Sequence, residues 1–355
     1  MGDVAPILEI KNITKQFGKL LAVNNVSLDV IDGEFFTIVG PSGSGKTTLL
    51  RMLAGLEKPT GGDIILRGSR VNDVPANKRP TCMVFQSLAL FNHRTVGQNI
   101  EFSLKMRGVS RADRRIRAME LMKTVRLPED FYGKGVTKCS GGERQRVALA
   151  RALASDPDIM FFDEPLSAID YQLRKHLEVE LKDLHRETGK TFMYITHSLE
   201  EAMVMSDRIG IMQAGHLIQV GTPDEIYTRP LNKFVSEFMG EVNTLSIRRT
   251  SPGKFECDEL GAQFAGPADT GGSETGYLVI RPESMRFLSD PSEAENHVKG
   301  TLFNEYAMGS RVQYHVRAGG YMLVVEKLRE QAYQGSIDDD VLVGWDVKDS
   351  VLVSD

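Results

Sequence analysis

Two short stretches of the sequence carry residues whose types and spacing suit phosphate chemistry. Residues 40–47, Gly-Pro-Ser-Gly-Ser-Gly-Lys-Thr, fill the pattern of a phosphate-binding loop, in which glycines let successive backbone N–H groups converge on phosphate oxygens. Lys46 is spaced to reach the outer phosphates and Thr47 to offer its hydroxyl to Mg²⁺. A flexible turn before a helix would explain the glycines and serines but not the Lys-Thr pair. The other residues expected to contact a nucleotide here are Ser42, Gly43, Ser44, Gly45 and Thr48.

The second stretch is an acid pair, Asp163 and Glu164, directly after the apolar run 159–162. A buried strand that ends in acids delivers charge to the phosphate end of a parallel sheet. Asp163 suits Mg²⁺ binding, and Glu164 suits polarising the attacking water beside the outermost phosphate. Alone, such a pair is more often a helix N-cap, but the upstream loop favours the catalytic interpretation.

The elements around these stretches have the order that a phosphate site needs. An apolar strand at 35–39 runs into the glycine loop, and a helical pattern follows it at 47–53. Leucines at helical spacing between 173 and 184 precede another apolar strand at 191–195. Strands that alternate with helices indicate an α/β fold with a parallel sheet, here preceded by β structure between residues 7 and 30.

The composition changes near Gly240. Beyond it, short alternating segments such as 277–280, 311–316 and 322–325 are typical of strands in a small all-β barrel of the OB type. The sequence therefore predicts an α/β nucleotide-binding domain over 1–240, with a helical subdomain at about 87–155. A β-barrel domain follows over 241–355.

At this point the chain resembles the nucleotide-binding subunit of an ABC transporter. The decisive segment is 139–153, which begins Cys-Ser-Gly-Gly-Glu-Arg-Gln-Arg and resembles the family's signature sequence and helix. It lies between the phosphate loop and the acid pair, and the joint order of the motifs is highly specific. The other family motifs match the lid glutamine at Gln86, the D-loop at 167–170 with Ser167 and Asp170, the switch histidine at His197, and the adenine-stacking aromatic at Phe17.

The resemblance implies an ATPase that uses ATP and Mg²⁺. Glu164 and His197 would be its catalytic residues, with His197 on the γ-phosphate, and Gln86 would join Thr47 and Asp163 around Mg²⁺. The signature residues would contact a nucleotide held by the loop of a second copy, so that the working form is a homodimer. These residues are Ser140, Gly141, Gly142 and Glu143.

Several positions depart from the family's usual residues. Cys139 replaces Leu, Glu143 replaces Gln, Ile169 replaces Leu, and Ser198-Leu199 replaces Asp-Gln. None of these changes removes a group assigned to phosphate or metal, so activity is expected. Cys139 is expected to be a small buried filler rather than a redox-sensitive thiol.

Composition separates the classes of ABC protein. A chain of 355 residues with net charge -5 and no long apolar run lacks the spanning segment of fused exporters and the basic field of a nucleic-acid binder. The first four residues begin no secretory signal, and three widely spaced cysteines suggest neither disulfides nor zinc, so a reducing cytoplasm is expected. A soluble ABC ATPase acting on nucleic acid or ribosomes is the alternative. It is disfavoured because one cassette is present, without a long coiled-coil insertion.

The C-terminal part resembles the TOBE-like regulatory or dimerisation domain of importer ATPases. Segments 89–96 and 104–109 are most similar to the spermidine/putrescine branch, although ferric iron, sugars or other organic solutes are also transported within this class. Two membrane permeases and, indirectly, an extracytoplasmic solute-binding protein would be the partners. The chain would then sit at the cytoplasmic face of the inner membrane. Residues 87–107 would meet the permeases, with Leu88, Leu90 and Phe91 either lining a groove or forming ordinary core.

Overall fold

The computed structural model of the chain describes residues 5–167, 169–266 and 274–355, so the expectation about the first four residues lies outside it. The chain divides into two compact units, one ending at Pro223 and one beginning at Asp224. Within the described ranges, every helix is too short or too polar to cross a bilayer.

The first unit is an α/β structure, as predicted. Its strands are β1 (Pro6–Phe17), β2 (Leu20–Ile31), β3 (Phe35–Val39), β4 (Gly61–Leu66), β5 (Ser69–Arg70), β6 (Thr81–Val84), β7 (Ile159–Asp163), β8 (Thr191–Ile195), β9 (Arg208–Gln213) and β10 (His216–Gly221). Its helices are α1 (Lys46–Leu53), α2 (Val96–Ile100), α3 (Phe102–Met106), α4 (Arg111–Thr124), α5 (Gly141–Leu153), α6 (Tyr171–Thr188) and α7 (Leu199–Met205).

The central sheet of this unit has the order β10-β9-β3-β8-β7-β6 and is parallel except for the β9–β10 hairpin. Because side chains alternate along a strand, each central strand serves two cores. Phe36 and Phe161 face a core shared with α1 and the antiparallel sheet β2-β1-β4-β5. Phe162 and Tyr194 face a second core shared with α5 and α6. This double burial explains why β3, β7 and β8 consist almost entirely of apolar residues.

The helical subdomain predicted at about 87–155 contains α2 to α5. Two of these helices start with a capping box: Thr95 with Gln98 begins α2, and Ser140 with Glu143 begins α5. In this motif each partner satisfies a free N–H group of the other, which fixes the residue at which the helix starts. The start of α5 is therefore set by the first signature residue.

The second unit is all-β after two short helices. These elements are α8 (Pro223–Thr228), α9 (Lys233–Phe238), β11 (Asn243–Ser251), β12 (Lys254–Cys257), β13 (Ala262–Ala265), β14 (Thr275–Ile280), β15 (Arg286–Leu288), β16 (Asn296–Met308), β17 (Arg311–Ala318), β18 (Tyr321–Leu328), β19 (Asp340–Trp345) and β20 (Ser350–Val353). The strands form two antiparallel sheets, β13-β12-β11-β14-β20 and β15-β19-β16-β17-β18, around one core that contains Trp345 and Tyr314. The fold class predicted for this part is confirmed.

The compact units divide earlier in the chain than the predicted boundary at 240/241, which stays a prediction. Arg281 explains why α8 and α9 group with the second unit. Its guanidinium donates to the carbonyl oxygens of Ser236 in α9 and Tyr227 in α8, both at 3.2 Å. The same guanidinium lies 4.0 Å from the centre of the Tyr227 ring. These contacts attach both short helices to the β structure.

Candidate active site

The glycine loop joins β3 to α1 and closes tightly on its surroundings. A Cβ atom on Gly40 would lie 2.1 Å from the carbonyl oxygen of Met212, and one on Gly45 would lie 2.3 Å from that of Ala22. Gly43 has a φ of +79°, which favours glycine, and its missing side chain leaves open space. The loop thus presents backbone rather than side chains, as a phosphate cradle requires.

Lys46 lies inside this loop and is almost fully buried. Its ammonium donates to the carbonyl oxygens of Gly40 at 2.8 Å and Pro41 at 2.9 Å. Burial lowers the pKa of Lys46, and the carboxylates of Glu164 and Asp163 oppose that shift. The positive charge is therefore held at the mouth of the loop, where a bound phosphate would take over the contacts now made by the two carbonyls.

Two further features fit a phosphate group. The hydroxyl oxygen of Ser44 is buried without a hydrogen-bond partner, which is costly unless a ligand supplies one. The backbone N–H groups of Lys46, Thr47 and Thr48 belong to the first turn of α1 and have no partner within the helix. They lie at the positive end of the helix dipole. The loop residues predicted from the sequence are thus brought together in a suitable arrangement.

Thr47 and Asp163 meet beside the loop. The Thr47 hydroxyl donates to Oδ1 of Asp163 at 3.0 Å, which connects the start of α1 to the end of β7. Burial raises the pKa of Asp163, while Thr47 and Arg51 lower it. A half-buried carboxylate next to a hydroxyl is a donor set of the kind that Mg²⁺ uses together with phosphate oxygens.

Glu164 follows with an unusual backbone, since its φ of +46° lies in the left-handed region that non-glycine residues seldom adopt. Its N–H group donates to the carbonyl oxygen of Ile195 at 3.0 Å, which holds the bend against β8. The bend turns the carboxylate towards His197, whose Nδ1 lies 3.2 Å from Oε2 of Glu164. The two residues predicted to be catalytic are therefore in direct contact.

Gln86 and Ser167 are also brought to this place. The Gln86 amide donates to the Ser167 hydroxyl at 2.9 Å, and this hydroxyl donates to the backbone oxygen of Glu164 at 3.0 Å. The Ser167 hydroxyl thereby links Gln86 to Glu164, the residue that follows β7. Asp170 does something different, because its carboxylate accepts from the N–H group of Leu173 and caps α6.

The signature residues form the N terminus of α5. The Ser140 hydroxyl accepts from the N–H group of Glu143 at 3.3 Å, and the Glu143 carboxylate accepts from that of Ser140 at 2.8 Å. These contacts, chiefly the Ser140 N–H group, lower the pKa of Glu143, and Lys134 contributes at 3.1 Å. The Ser140 hydroxyl accepts in this contact and keeps its own hydrogen available for an anion. Gly141, beside it, has open space where a Cβ atom would be.

Phe17 ends β1 with 45% of its surface exposed. The Lys15 ammonium lies 4.7 Å from the centre of its ring, so one ring face already carries a cation–π contact. An exposed aromatic ring of this kind can stack on a flat base.

The departures from the family pattern have simple structural explanations. Cys139 is buried in the helical core, which raises the pKa of its thiol and agrees with the expected filler role. Ser198 caps α7 by accepting from the N–H group of Glu201, a task for which serine is as suitable as aspartate. Ile169 packs against the same core as Cys139.

Sequence reasoning missed a buried cluster next to His197. Glu201, on the inner side of α7, accepts hydrogen bonds from Tyr194 and Thr196. Arg174 of α6 approaches it from the other side. The available signal was an acid at a position of α7 that faces the core, four residues after the switch histidine.

Comparison with known proteins gives consistent results. A family model described as ABC transporter matches residues 23–167, and one described as TOBE domain matches residues 278–353. The spermidine/putrescine import ATP-binding protein of Bacillus cereus is 42% identical over 98% of this chain and 99% of its own length. The protein of the same description from Roseobacter denitrificans is 43% identical over 90% of this chain and 89% of its own length.

Among solved structures, the dimeric bacterial ABC transporter cassette MJ0796 is similar to this chain. It is 34% identical with a TM-score of 0.54, and the match covers 61% of this chain and 98% of that one.

Proposed function

The chain belongs to the ATP-binding subunits of the ABC transporter family, and from that premise we propose which solute it serves and how its residues act. It is an ABC-type ATPase, the ATP-hydrolysing subunit of a membrane importer. The solute we propose is a polyamine of the spermidine/putrescine class. Its relatives are import proteins, which favours this function over action on nucleic acid or ribosomes.

The observation that carries the catalytic proposal is the contact between Glu164 and His197 beside Lys46 and Thr47. The loop and Lys46 bind the phosphates of ATP, and Phe17 stacks on the adenine. The Glu164 carboxylate orients and polarises the attacking water, since it lies at the end of β7 next to the loop. His197 holds Glu164 and contacts the γ-phosphate.

Mg²⁺ would be held by Thr47 and Asp163, with Gln86 nearby. Across the described part of the chain, no three His, Cys, Asp or Glu side chains are grouped to hold a metal by themselves, which suits an ion that takes several of its ligands from phosphate and water. Bound there, the ion would neutralise charge on the outer phosphates.

A second copy of the chain completes the site. Ser140, Gly141, Gly142 and Glu143 lie at the N terminus of α5, where backbone N–H groups and the helix dipole favour an anion. The N–H groups of Ser140 and Glu143 are engaged in the capping box. The donors that remain for an anion are the hydroxyl hydrogen of Ser140 and the backbone N–H groups of Gly141 and Gly142. In the homodimer these groups contact the γ-phosphate bound by the partner's loop. ATP then holds the dimer closed, and hydrolysis releases it.

The importer places the chain at the cytoplasmic face of the inner membrane through two permeases, which receive solute from an extracytoplasmic binding protein. Residues 87–107 are the surface that we assign to the permeases. Leu88 and Ala89 have φ values of 60° and 46°, and Arg151 donates to both of their carbonyl oxygens at 2.7 Å, so this segment is held in a defined shape. Leu88 and Leu90 pack partly on the core, which leaves the exposed remainder of the segment for the permeases.

The test is ATPase stimulation in proteoliposomes that contain the chain, its permeases and the binding protein. Spermidine or putrescine should raise the rate of phosphate release, and ferric complexes, sugars and amino acids should not. If only one of those other solutes stimulates the ATPase, that solute and not a polyamine is the one transported. Stimulation by duplex DNA or ribosomes at physiological salt would contradict the proposed importer function.

A further inference from the structure

The loop that carries His197 is anchored by a buried carboxylate. Glu201 is 3% exposed, and its Oε2 accepts from the hydroxyls of Thr196 at 2.7 Å and Tyr194 at 2.9 Å. Burial and the neighbouring Glu201 hold the pKa of Tyr194 far above its usual value, so this hydroxyl remains a donor. The Thr196 hydroxyl also accepts from the N–H group of Ser198 at 2.9 Å. The side chain of Thr196 thus bridges the backbone on both sides of His197, and Glu201 fixes that side chain.

The other oxygen of the same carboxylate faces Arg174. The Nε atom of Arg174 lies 4.0 Å from Oε1 of Glu201 and is buried without a hydrogen-bond partner. The Nη2 atom of the same guanidinium donates to the carbonyl oxygen of Ile169 at 2.8 Å. One side chain of α6 therefore contacts the Ile169 backbone and approaches the anchor of the His197 loop.

We propose that Arg174 and Glu201 are a pair of positioning residues, which keeps His197 in register with Glu164 and couples its position to that of Ile169. The proposal rests on the catalytic roles proposed above for Glu164 and His197. A guanidinium is rigid and planar, so a shift of the Ile169 carbonyl moves Nε relative to the carboxylate. The distance of 4.0 Å between Nε and Oε1 is longer than a hydrogen bond, so a small shift of the guanidinium towards the carboxylate would form one.

The positive charge of Arg174 also stabilises the buried carboxylate of Glu201. A carboxylate buried to this degree is costly unless it is paired, and its two hydroxyl donors satisfy only one oxygen. The loss of either partner would therefore loosen the Thr196 contact and, through it, the position of His197. The phosphate loop takes no part in this cluster, so nucleotide affinity should change much less than the rate of hydrolysis.

The test compares Glu201→Gln, Arg174→Gln and the double variant in the full-length chain. The matched control is Glu200→Gln, an exposed neighbour whose ion pair with Lys175 joins the same two helices. We expect kcat for ATP to fall on the order of tenfold in each single variant, with a much smaller change in KM. The double variant should lose little more than either single variant, because the pair acts as a unit. The control should keep the wild-type kcat.

Hydrogen exchange gives a readout that does not depend on hydrolysis. The Ser198 amide, which donates to Thr196, should exchange faster in Arg174→Gln and Glu201→Gln than in Glu200→Gln. Unchanged Ser198 exchange in Arg174→Gln would contradict the link even if the wild type proved inactive, so this failure is separate from failure of the proposed function. Folded single variants with the wild-type kcat, or losses that simply multiply in the double variant, would also overturn the proposal.

Discussion

Replacement of Glu164 by glutamine removes one charge at the centre of the site and leaves its shape. The backbone contacts that hold this residue in its bend use its N–H group and carbonyl oxygen, to Ile195 and Ser167, and are independent of the side chain. The amide oxygen can still face His197, which lies 3.2 Å from the carboxylate. Folding and ATP binding should therefore be preserved.

The loss should appear in hydrolysis. A positioned general base contributes about 10²- to 10⁴-fold to a rate, so a fall in kcat of about a thousandfold is expected for Glu164→Gln, or about 4 kcal/mol in the barrier. Phosphate release and equilibrium ATP binding measure the two effects separately. With ATP and Mg²⁺ the variant should accumulate as a dimer in size-exclusion chromatography, because the step that opens the dimer is blocked.

Glu200→Gln serves as the control, since it makes the same chemical change at an exposed position. Turnover in Glu164→Gln close to that of the wild type would refute the assignment of Glu164. A variant that has lost ATP binding altogether would instead show that the carboxylate is needed to build the site.

Three further predictions concern the loop, the signature and the division of the chain. Lys46→Ala should weaken ATP binding and hydrolysis together, and its melting temperature without nucleotide should change little; an unfolded variant whose remaining folded fraction binds ATP normally would point to a structural role. Because the folded-state pKa of Glu143 is lowered, its stabilisation of α5 is present at neutral pH and lost as the pH falls below about 4. Thermal unfolding should therefore show that the wild type loses more stability than Glu143→Gln when the pH is lowered into this range. A stability difference that does not depend on pH would contradict the role of the carboxylate. A chain that ends at Pro223 should fold and bind ATP, since the phosphate loop and β1 to β10 precede that point, and a soluble, folded truncation without nucleotide binding would be inconsistent with this division.

The sequence predicted those parts of the site whose residues are close together in the chain. The glycine loop, the acid pair at 163–164 and the signature helix are local patterns, because the backbone geometry that each one needs is built from adjacent residues. The α/β order and the all-β C-terminal part followed from hydrophobic periodicity. Both fold predictions are confirmed by the structure and by the family matches.

Pairings between distant segments could not be predicted in this way. Nothing local to Arg174 indicates that it reaches Ile169 and Glu201 at once, because the approach to Glu201 depends on how α6 and α7 pack. The same holds for Arg281, whose contacts attach α8 and α9 to the second unit rather than the first. The left-handed backbone of Glu164 is also invisible in the sequence, since glutamate shows no preference for that conformation.

A mixing experiment tests whether each ATP is hydrolysed between the loop of one chain and the signature of another. Lys46→Ala removes the loop function, and Ser140→Arg places a bulky charge at the exposed start of α5, so each variant alone should be inactive. Mixed subunits can form a dimer with one intact composite site and one doubly damaged site. Mixing the two inactive variants should therefore restore part of the ATPase activity. If mixed dimers form, as shown by pull-down with two different tags, and activity stays at the level of the separate variants, the composite site is contradicted.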